Sequence, residues 1–356
     1  MRTLRVMTAT TAVTDPDRGS TEPAILVLDW GTTSQRAWLL DRAGRVLAAR
    51  TADRGLLRTT EGIDPADAGA RATAFAAAYT ALCRDWHDEH PGLPAIACGM
   101  VGSAQGWIDA GYRPVPAALG PARGELVRVE HPAGPLHIVP GVRRPSRSGH
   151  PGDVMRGEET QVLGVLGDAS DWREMRIVVL PGTHTKWVRV AAGVITEFTT
   201  AMTGELYALE MRHGILGRSG SGARRDDAAF ASGLAAGAVS RGLAVELFAA
   251  RSLVLEGVLD AAAVPDYVSG VLIADEVRTV LPRYVTAGAE VLLCGPPDLC
   301  RRYAVALDGH GVTAHVLSGD AVVRGLWMIA VAARLVAPEV AVAANAPVVP
   351  TGQENR

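Results

Sequence analysis

Short apolar runs separated by turns open the folded part of the chain and predict three strands in a meander. The runs are AILVLDW from Ala24, QRAWLLD after a Gly-Thr-Thr break, and RVLAAR after a turn at residues 42–44. Short runs bounded by turn residues in this way are typical of β-strands. An Ala-rich segment from Pro65 to about His90 then predicts a long helix, and PAIAC, which ends at Cys98, predicts a buried strand.

The opening pattern recurs in the second half of the chain. LDWGTTSQRAWLLDRAGRVL, which starts at Leu28, resembles LPGTHTKWVRVAAGVITEF, which starts at Leu180. In both segments an apolar strand ends in a Gly-Thr turn, and a second strand with an inward Trp leads through a Gly turn into a third. Repetition at this separation predicts two related domains, and a coincidence between two β-hairpins is the alternative.

The rest of the chain is predicted to alternate helices with further strands. Helices are predicted over residues 153–166, 204–216, 226–256 and 265–286, and residues 176–180 are predicted as a strand. A strand, a helix, a strand and a helix follow over 291–294, 298–307, 312–317 and 320–335, and this order implies parallel strands. Two Gly-rich stretches, 99–111 and 132–152, are long enough to be functional loops.

Composition narrows the possible partners. The chain has 356 residues, 48% of them hydrophobic, and a formal charge of −3, so two domains of ordinary size are expected. The scattered basic residues give no footprint for nucleic acid or for a membrane surface. No long apolar segment or signal peptide is found, which predicts a cytoplasmic protein. The four cysteines form no C-x-x-C pair and are expected to be reduced, buried thiols.

We therefore predict a disordered leader (1–22), an N-terminal domain with substrate loops (23–174), a C-terminal domain with nucleotide-binding segments (175–336) and a flexible tail (337–356). Small molecules are the expected partners, and a homodimer remains open.

The two Gly-Thr turns are the first candidates for chemistry. Backbone N–H groups and hydroxyls in such turns suit phosphate oxygens, and two turns facing each other across a cleft would hold two phosphates. Asp29, at the end of the strand that enters the first turn, would then hold Mg²⁺ through water, with turn capping as the alternative. The only lysine of the chain, Lys186, lies beside the second turn among 34 arginines, and we expect it near the phosphates or in a tight ion pair.

Five stretches together resemble the 2-dehydro-3-deoxygalactonokinase family, within the superfamily of acetate and sugar kinases, heat-shock chaperones and actin. They are LDWGTTSQRAWLL, CGMVGSAQGW, DVMRGEETQVLG, PGTHTKWV with the later MTGELYAL, and SGDAVVRGLW. The resemblance covers about residues 24 to 336 and implies an α/β fold of two ribonuclease-H-like, actin-like ATPase domains with ATP in the cleft between them.

The resemblance also implies site residues. The phosphate-binding residues would be Gly31, Thr32, Thr33, Gly182, Thr183 and Thr185, with Lys186 beside them. Asp29 falls on the Mg²⁺-associated carboxylate, and Gly295 and Pro296 fall on the adenosine-binding segment, where Gly-Pro-Pro departs from the commoner Gly-Gly.

Transfer of a phosphoryl group to a sugar hydroxyl needs a carboxylate that accepts the proton. An acidic residue at the start of the interdomain helix looks to be the base in related enzymes, which points to Glu158, with Asp153 and Glu159 as rivals. Charges that only oppose the helix dipole are the alternative. For the sugar acid, Ser103, Gln105 and Trp107 are candidates, and Arg156 is a candidate for its carboxylate.

We therefore predict a sugar-acid kinase that transfers the γ-phosphate of Mg·ATP to the 6-hydroxyl of 2-dehydro-3-deoxy-D-galactonate. The resemblance alone implies that this is a step of galactonate catabolism. The alternatives are a kinase for another sugar, a phosphohydrolase on the same fold, and a non-catalytic module that senses ATP or sugar.

Overall fold

The structure is a computed structural model that describes residues 22–147, 151–167, 175–219, 224–285, 290–317 and 320–337. Apart from residues 22 and 337, the predicted leader and tail lie outside the described residues. Within the described ranges, no helix is long and apolar enough to span a membrane.

The first half of the chain builds all six strands of one large sheet. Its elements are, in order, β1 (Pro23–Trp30), β2 (Gln35–Asp41), β3 (Val46–Ala52), α1 (Leu56–Thr59), α2 (Ala68–Glu89), β4 (Ala95–Gly99), β5 (Tyr112–Pro114), β6 (Ala117–Ala118), β7 (Val127–Val129), β8 (Leu136–Ile138), β9 (Gly141–Arg144), β10 (Asp153–Met155) and α3 (Glu158–Leu166).

The second half builds the other large sheet and a set of helices beside it. Its elements are β11 (Arg176–Leu180), β12 (Thr185–Ala191), β13 (Val194–Ala201), α4 (Thr203–Arg212), α5 (Ile215–Ser219), α6 (Asp227–Ala238), α7 (Leu243–Leu255), α8 (Val264–Tyr284), β14 (Glu290–Cys294), α9 (Pro297–Asp308), β15 (Thr313–Leu317) and α10 (Ala321–Ala332).

Five strands of each large sheet share one topology, and the sixth strand lies at opposite edges of the two sheets. Their strand orders are β3-β2-β1-β4-β8-β7 and β15-β14-β11-β12-β13-β6. In each, three consecutive antiparallel strands form one side, and the next strand pairs in parallel with the first of them: β4 with β1, and β14 with β11. This is the ribonuclease-H-like arrangement, present twice. The internal repeat predicted from sequence is therefore confirmed.

Short elements connect the halves. Strand β6 of the first half pairs with β13 in the second large sheet, and β5, β9 and β10 form a small sheet of their own. The predicted domain boundary falls at the end of the undescribed segment 168–174 and stays a prediction.

The central strands are apolar on both faces because helices cover both sides of each sheet. On β1, Leu26 and Leu28 pack toward Phe75 and other buried residues of α2, while Ile25 and Val27 enter a cluster shared with the second half of the chain. That shared cluster contains residues of β11, α3 and α10, so a continuous apolar core lies between the two large sheets. This core fixes the elements that border the cleft.

Several sequence predictions of elements were wrong in detail. Residues 153–155 form β10 rather than the start of a helix, because they pair with β9 and Gly157, at φ 101°, interrupts the chain before α3. The predicted helices over 204–216 and 226–256 are each divided in two, and the stretch 132–152 contains β8 and β9. The expected state of the cysteines is confirmed, since all four are free and buried.

Candidate active site

The first Gly-Thr turn joins β1 to β2 and rests on the start of α1. Gly31 N–H donates to the Ser34 carbonyl at 2.8 Å, and the carbonyls of Thr32 and Thr33 accept from backbone N–H groups of residues 57 and 55. A Cβ on Gly55 would lie 2.4 Å from the Thr33 carbonyl carbon, so only glycine lets the chain approach the turn this closely. The side chain of Thr32 lies at the cleft.

The second turn joins β11 to β12 and rests on α4 in the same way. The Thr183 carbonyl accepts from Glu205 N–H at 2.9 Å, and the Glu205 carboxylate contacts His184. A Cβ on Gly204 would lie 2.2 Å from the Gly182 carbonyl oxygen. Each Gly-Thr turn is thus supported by a glycine at the helix that follows the third strand of its repeat.

A cleft of about 760 Å³ separates the two turns. Its walls carry six of the residues predicted from sequence, namely Thr32, Glu158, Gly182, Thr183, Gly295 and Pro296. Arg36, on β2, also lines it, and Asp320 to Val322 at the start of α10 close the far side. Both halves of the chain therefore contribute to one cavity, as the predicted interdomain position requires.

The three candidate carboxylates lie in three different environments. Both oxygens of Asp153 accept from Thr200 of β13, at 2.7 Å from its backbone N–H and 2.7 Å from its hydroxyl. Glu159 is only 1% exposed and accepts from Gly157 N–H. Burial, with the charge of neighbouring Glu158, raises the pKa of Glu159 to about 7. Glu158 is the carboxylate of the three that lines the cleft.

Lys186 forms an ion pair with Glu158 across the two halves of the chain. Its Nζ lies 2.8 Å from Glu158 Oε1, and its side chain is only 4% exposed. Nζ also donates to the His184 carbonyl at 3.2 Å, while Glu158 Oε2 accepts from Arg156 N–H at 2.9 Å. Of the two positions expected from sequence, phosphate contact or ion pair, the structure shows the ion pair. An ammonium held in this way fixes the carboxylate at the cleft.

Thr185 does not lie at the cleft. It is fully buried, and its hydroxyl lies 3.0 Å from the Tyr303 hydroxyl. Tyr303 in turn donates to Glu276 at 2.6 Å, and Glu276 also accepts from Trp187 and Thr203. Burial raises the pKa of Glu276.

Sequence analysis missed Glu276, although its place on the buried face of α8, at helical spacing from Ile273 and Val280, is a recognisable signal. Its hydrogen bonds tie together β12, α4 and α9, which border a second pocket.

This second pocket, of about 450 Å³, adjoins the cleft and shares Gly182, Thr183 and Pro296 with it. Leu272, Ile273 and Leu299 form an apolar wall, and Ser269, Asp298 and Arg302 add polar groups at its edge. A flat aromatic ring with a few polar substituents matches such a lining.

Asp29 lies behind the first turn. One of its oxygens pairs with Arg36, and the other, Oδ1, faces the Cys98 thiol at 4.0 Å. A thiol is a weak donor, so Oδ1 keeps its capacity to accept from a metal-bound water. Among the described residues, no three His, Cys, Asp or Glu side chains form a metal-binding group. A single carboxylate nevertheless fits Mg²⁺, which keeps several waters and binds mainly through phosphates in such sites.

The four residues predicted to bind the sugar lie outside the cleft in this conformation. The Ser103 hydroxyl donates to the Met100 carbonyl, Gln105 is exposed, and Trp107 packs against Phe75 and an adjoining tyrosine and histidine.

Arg156 is buried. Its guanidinium stacks 4.2 Å from the centre of the Tyr112 ring, and Nη2 donates to the Gly111 carbonyl. Two of its nitrogens, Nε and Nη1, have no hydrogen-bond partner among the described residues. Its Nη2 also lies 3.8 Å from Oδ1 of the Asp109 carboxylate.

Two ribonuclease-H-like sheets that meet at a cleft lined by both Gly-Thr turns define an α/β protein of the actin-like ATPase class. A family model described as 2-keto-3-deoxy-galactonokinase matches residues 29–329. Since this match covers most of the chain, the protein belongs to that family, and the resemblance found in the sequence is confirmed.

Named relatives agree with the family match. A Rhizobium meliloti (strain 1021) protein, "Probable 2-dehydro-3-deoxygalactonokinase DgoK1", is 37% identical over 308 residues, which cover 83% of this chain and 93% of the relative. The Escherichia coli (strain K12) 2-dehydro-3-deoxygalactonokinase is 32% identical over 295 residues, with the same coverage. A crystal structure from Sinorhizobium meliloti, assigned as a 2-dehydro-3-deoxygalactonokinase, superposes with a TM-score of 0.75 at 33% identity and covers 86% of this chain and 98% of its own.

Proposed function

We propose that this protein transfers the γ-phosphate of ATP to the 6-hydroxyl of 2-dehydro-3-deoxy-D-galactonate in the cytoplasm, as a step of galactonate catabolism. Membership of the family supports the kinase activity and its sugar-acid substrate. The observation that carries the proposal is Glu158, a carboxylate held by Lys186 at the cleft where the two phosphate turns face each other.

ATP would lie along the cleft with its phosphates between the turns. Gly31, Thr32 and Thr33 would contact them from one side, and Gly182 with Thr183 from the other. Arg36 adds a guanidinium at the same wall and suits a phosphate oxygen. Thr185, buried under the second turn, would support the turn through Tyr303 rather than touch phosphate.

The adenine would enter the apolar pocket beside the cleft. Gly295 and Pro296 lie at the cleft wall, and Pro296 also lines the pocket, so they would adjoin the ribose and base. The adenine ring would be buried between the side chains of Leu272 on α8 and Leu299 on α9. The backbone after β14 is compatible with the Gly-Pro-Pro departure because Pro297 begins α9, where a helix tolerates proline.

Asp29 would hold Mg²⁺ through water. The bound ion would neutralise charge on the β- and γ-phosphates. Arg36, paired with the other oxygen of Asp29, would hold this carboxylate in place.

Glu158 would accept the proton of the attacking hydroxyl. The base must come within about 3 Å of that proton's oxygen, directly or through one water. Asp153 is committed to Thr200 and Glu159 is enclosed in protein, whereas Glu158 is 24% exposed at the cleft. The helix N-terminus favours its negative charge before the reaction.

The sugar acid would bind on the first-half side, under the loop that follows β4. Ser103, Gln105 and Trp107 remain candidates for its hydroxyls and ring-opened carbon chain. The buried Arg156 guanidinium has two unsatisfied nitrogens, and these support a carboxylate as its partner once this loop moves.

A substrate panel tests the proposal directly. Purified protein with Mg·ATP is assayed against 2-keto-3-deoxy acids that differ in the configuration at C4, and ³¹P NMR of the product identifies the phosphorylated hydroxyl. We expect a 6-phosphate from the galactonate derivative. Fast loss of ATP without any sugar acid would instead support a phosphohydrolase, and nucleotide binding without turnover would support a sensing module.

Carboxylate variants then test the base. Glu158→Gln should lower kcat by about 100-fold or more, while the matched variants Asp153→Asn and Glu159→Gln keep most of the turnover. An active Glu158→Gln enzyme would exclude this residue as the base.

A further inference from the structure

Helix α7 carries apolar side chains on every side, with Glu246 and Arg251 as its two charged residues, yet only one of its residues, Ala250, is fully buried. One side of the helix, including Leu247 and Leu253, packs against the helical cluster formed with α6 and α8. A helix this rich in apolar residues normally has most of its surface covered. The described part of the chain does not cover the other side of α7.

The uncovered side forms a stripe at helical spacing, with Val245, Phe248 and Leu255 at 68%, 61% and 73% exposure. Ala244 and Ser252 lie between these large side chains and are small enough to receive them from an opposing surface. Val239 and Val258, beyond either end of α7, are 78% and 71% exposed. Contiguous exposed apolar surface of this kind marks an interaction site.

The charges at the ends of this stripe identify the partner. Exposed Arg241 precedes the N-terminus of α7, and exposed Glu256 caps its C-terminus. Both charges oppose the dipole of their own helix, which favours anions at the N-terminus and cations at the C-terminus. Their placement therefore does not stabilise α7 in a single chain.

An antiparallel copy of the same helix reverses this relation. About a twofold axis between Phe248 and Ala249, Arg241 of one copy lies opposite Glu256 of the other, because the two are equally distant from that midpoint. Each charge then faces the helix end that favours it, and Phe248 of each copy lies opposite the small Ala249 of the other. We propose that α7 is the contact helix of a homodimer, paired antiparallel with α7 of a second copy through this self-complementary stripe.

The test measures the mass of the full chain in solution by light scattering and sedimentation over a concentration series. We expect a dimer for the unmodified protein. Phe248→Glu should raise the dimer dissociation constant by about 30-fold or more, as for a central interface residue. The control Leu209→Glu, at an apolar residue of α4 that is 48% exposed, should leave the dimer unchanged.

A charge exchange tests the antiparallel register without relying on a disruptive variant. Glu256→Arg alone should weaken the dimer, since it places two arginines together, and adding Arg241→Glu should restore it. A chain that stays monomeric at every concentration of the series up to about 100 µM would overturn the proposal, because stable dimers have dissociation constants well below that concentration. A dimer unaffected by Phe248→Glu, or one that the double exchange does not restore, would overturn it as well.

Discussion

Replacing Lys186 with methionine tests whether the ion pair across the cleft serves the reaction step. Nζ lies 2.8 Å from Glu158 Oε1, with side-chain exposures of 4% for Lys186 and 24% for Glu158. With an effective dielectric constant of about 20, the Coulomb attraction at this distance is roughly 6 kcal/mol. Desolvation of the buried ammonium offsets much of this, so we expect the variant to be less stable by about 1–3 kcal/mol.

The kinetic effect follows from the position of the carboxylate. Methionine fills nearly the same space but donates no hydrogen bond, so Glu158 Oε1 loses its partner and the carboxylate is held only by the Arg156 N–H at Oε2. A displacement of about 1 Å at a reacting group costs on the order of 100-fold in rate. We expect kcat to fall by between about 10-fold and 100-fold, with KM for ATP changed by less than about 3-fold. Steady-state assays with ATP varied at saturating sugar acid measure both constants.

Arg189→Met is the matched control, because Arg189 lies on the same strand, pairs with Glu197 at 2.6 Å and faces away from the cleft. It should leave kcat unchanged. A Lys186→Met enzyme with normal kcat and a much higher KM for ATP would refute the reasoning, since that pattern belongs to a lysine that binds phosphate. Lys186→Arg separates charge from shape: a planar guanidinium in this enclosed position should recover stability only in part.

Three further substitutions address other parts of the site. Leu272→Trp fills the apolar pocket and should raise KM for ATP by about 10-fold or more with kcat retained at saturating ATP; an unchanged KM would exclude adenine from this pocket. Asp29→Asn should raise the Mg²⁺ concentration for half-maximal turnover by about 10-fold, and an unaltered Mg²⁺ titration would contradict the metal role. Glu159→Gln should flatten the pH dependence of stability. The pKa of Glu159 is raised from 4.5 to about 7 on folding, so its contribution is fully present below pH 4.5 and is lost as the pH rises through 7, by roughly 3 kcal/mol in total. Urea unfolding at pH 5 and pH 8 measures this difference, and equal differences in both proteins would exclude Glu159 as its source.

The duplicated fold was predictable because its strongest signal is local. Each hairpin is a short stretch in which apolar residues, a Gly-Thr turn and an inward Trp follow one another, and β1 and β11 therefore stand out without any knowledge of their partners. A second local signal lies at the ends of the two strands that pair in parallel with β1 and β11. Cys98 and Gly99 are the last two residues of β4, whereas Cys294 ends β14 and Gly295 follows it directly. These strands occupy equivalent places beside β1 and β11. Aligning these Cys-Gly pairs would have extended the repeat beyond the hairpins.

Elements that depend on a partner strand far away in the sequence were harder to predict. Residues 153–155 read as the first turn of a helix, but they form β10 because β9 lies beside them. The strands β5 and β6 are short, and β6 owes its conformation to β13 of the other sheet. Helical spacing in α4 to α7 was recognised, whereas the breaks between those helices were not. Hydrophobic periodicity reports the face of an element and leaves its ends and its partners undetermined.

The same limit explains why the sequence alone does not decide which of three carboxylates is the base. Asp153, Glu158 and Glu159 share one short segment, and their chemistry is separated by what each one meets: Thr200 of β13, Lys186 of β12, and the backbone of Gly157. Two of these partners come from the second half of the chain, so the environment of the segment exists only when both sheets are docked.

The lone lysine now has a structural reason that composition does not supply. In a chain where arginine fills nearly every basic position, Lys186 stands where the space is almost closed to solvent and where its partner carboxylate already accepts from the Arg156 backbone. A compact ammonium satisfies Glu158 Oε1 and the His184 carbonyl from one point, whereas a guanidinium would project farther from the strand into the cleft wall. If Glu158 is the base, Lys186 therefore constrains the reaction geometry by holding this carboxylate at the cleft that both Gly-Thr turns line.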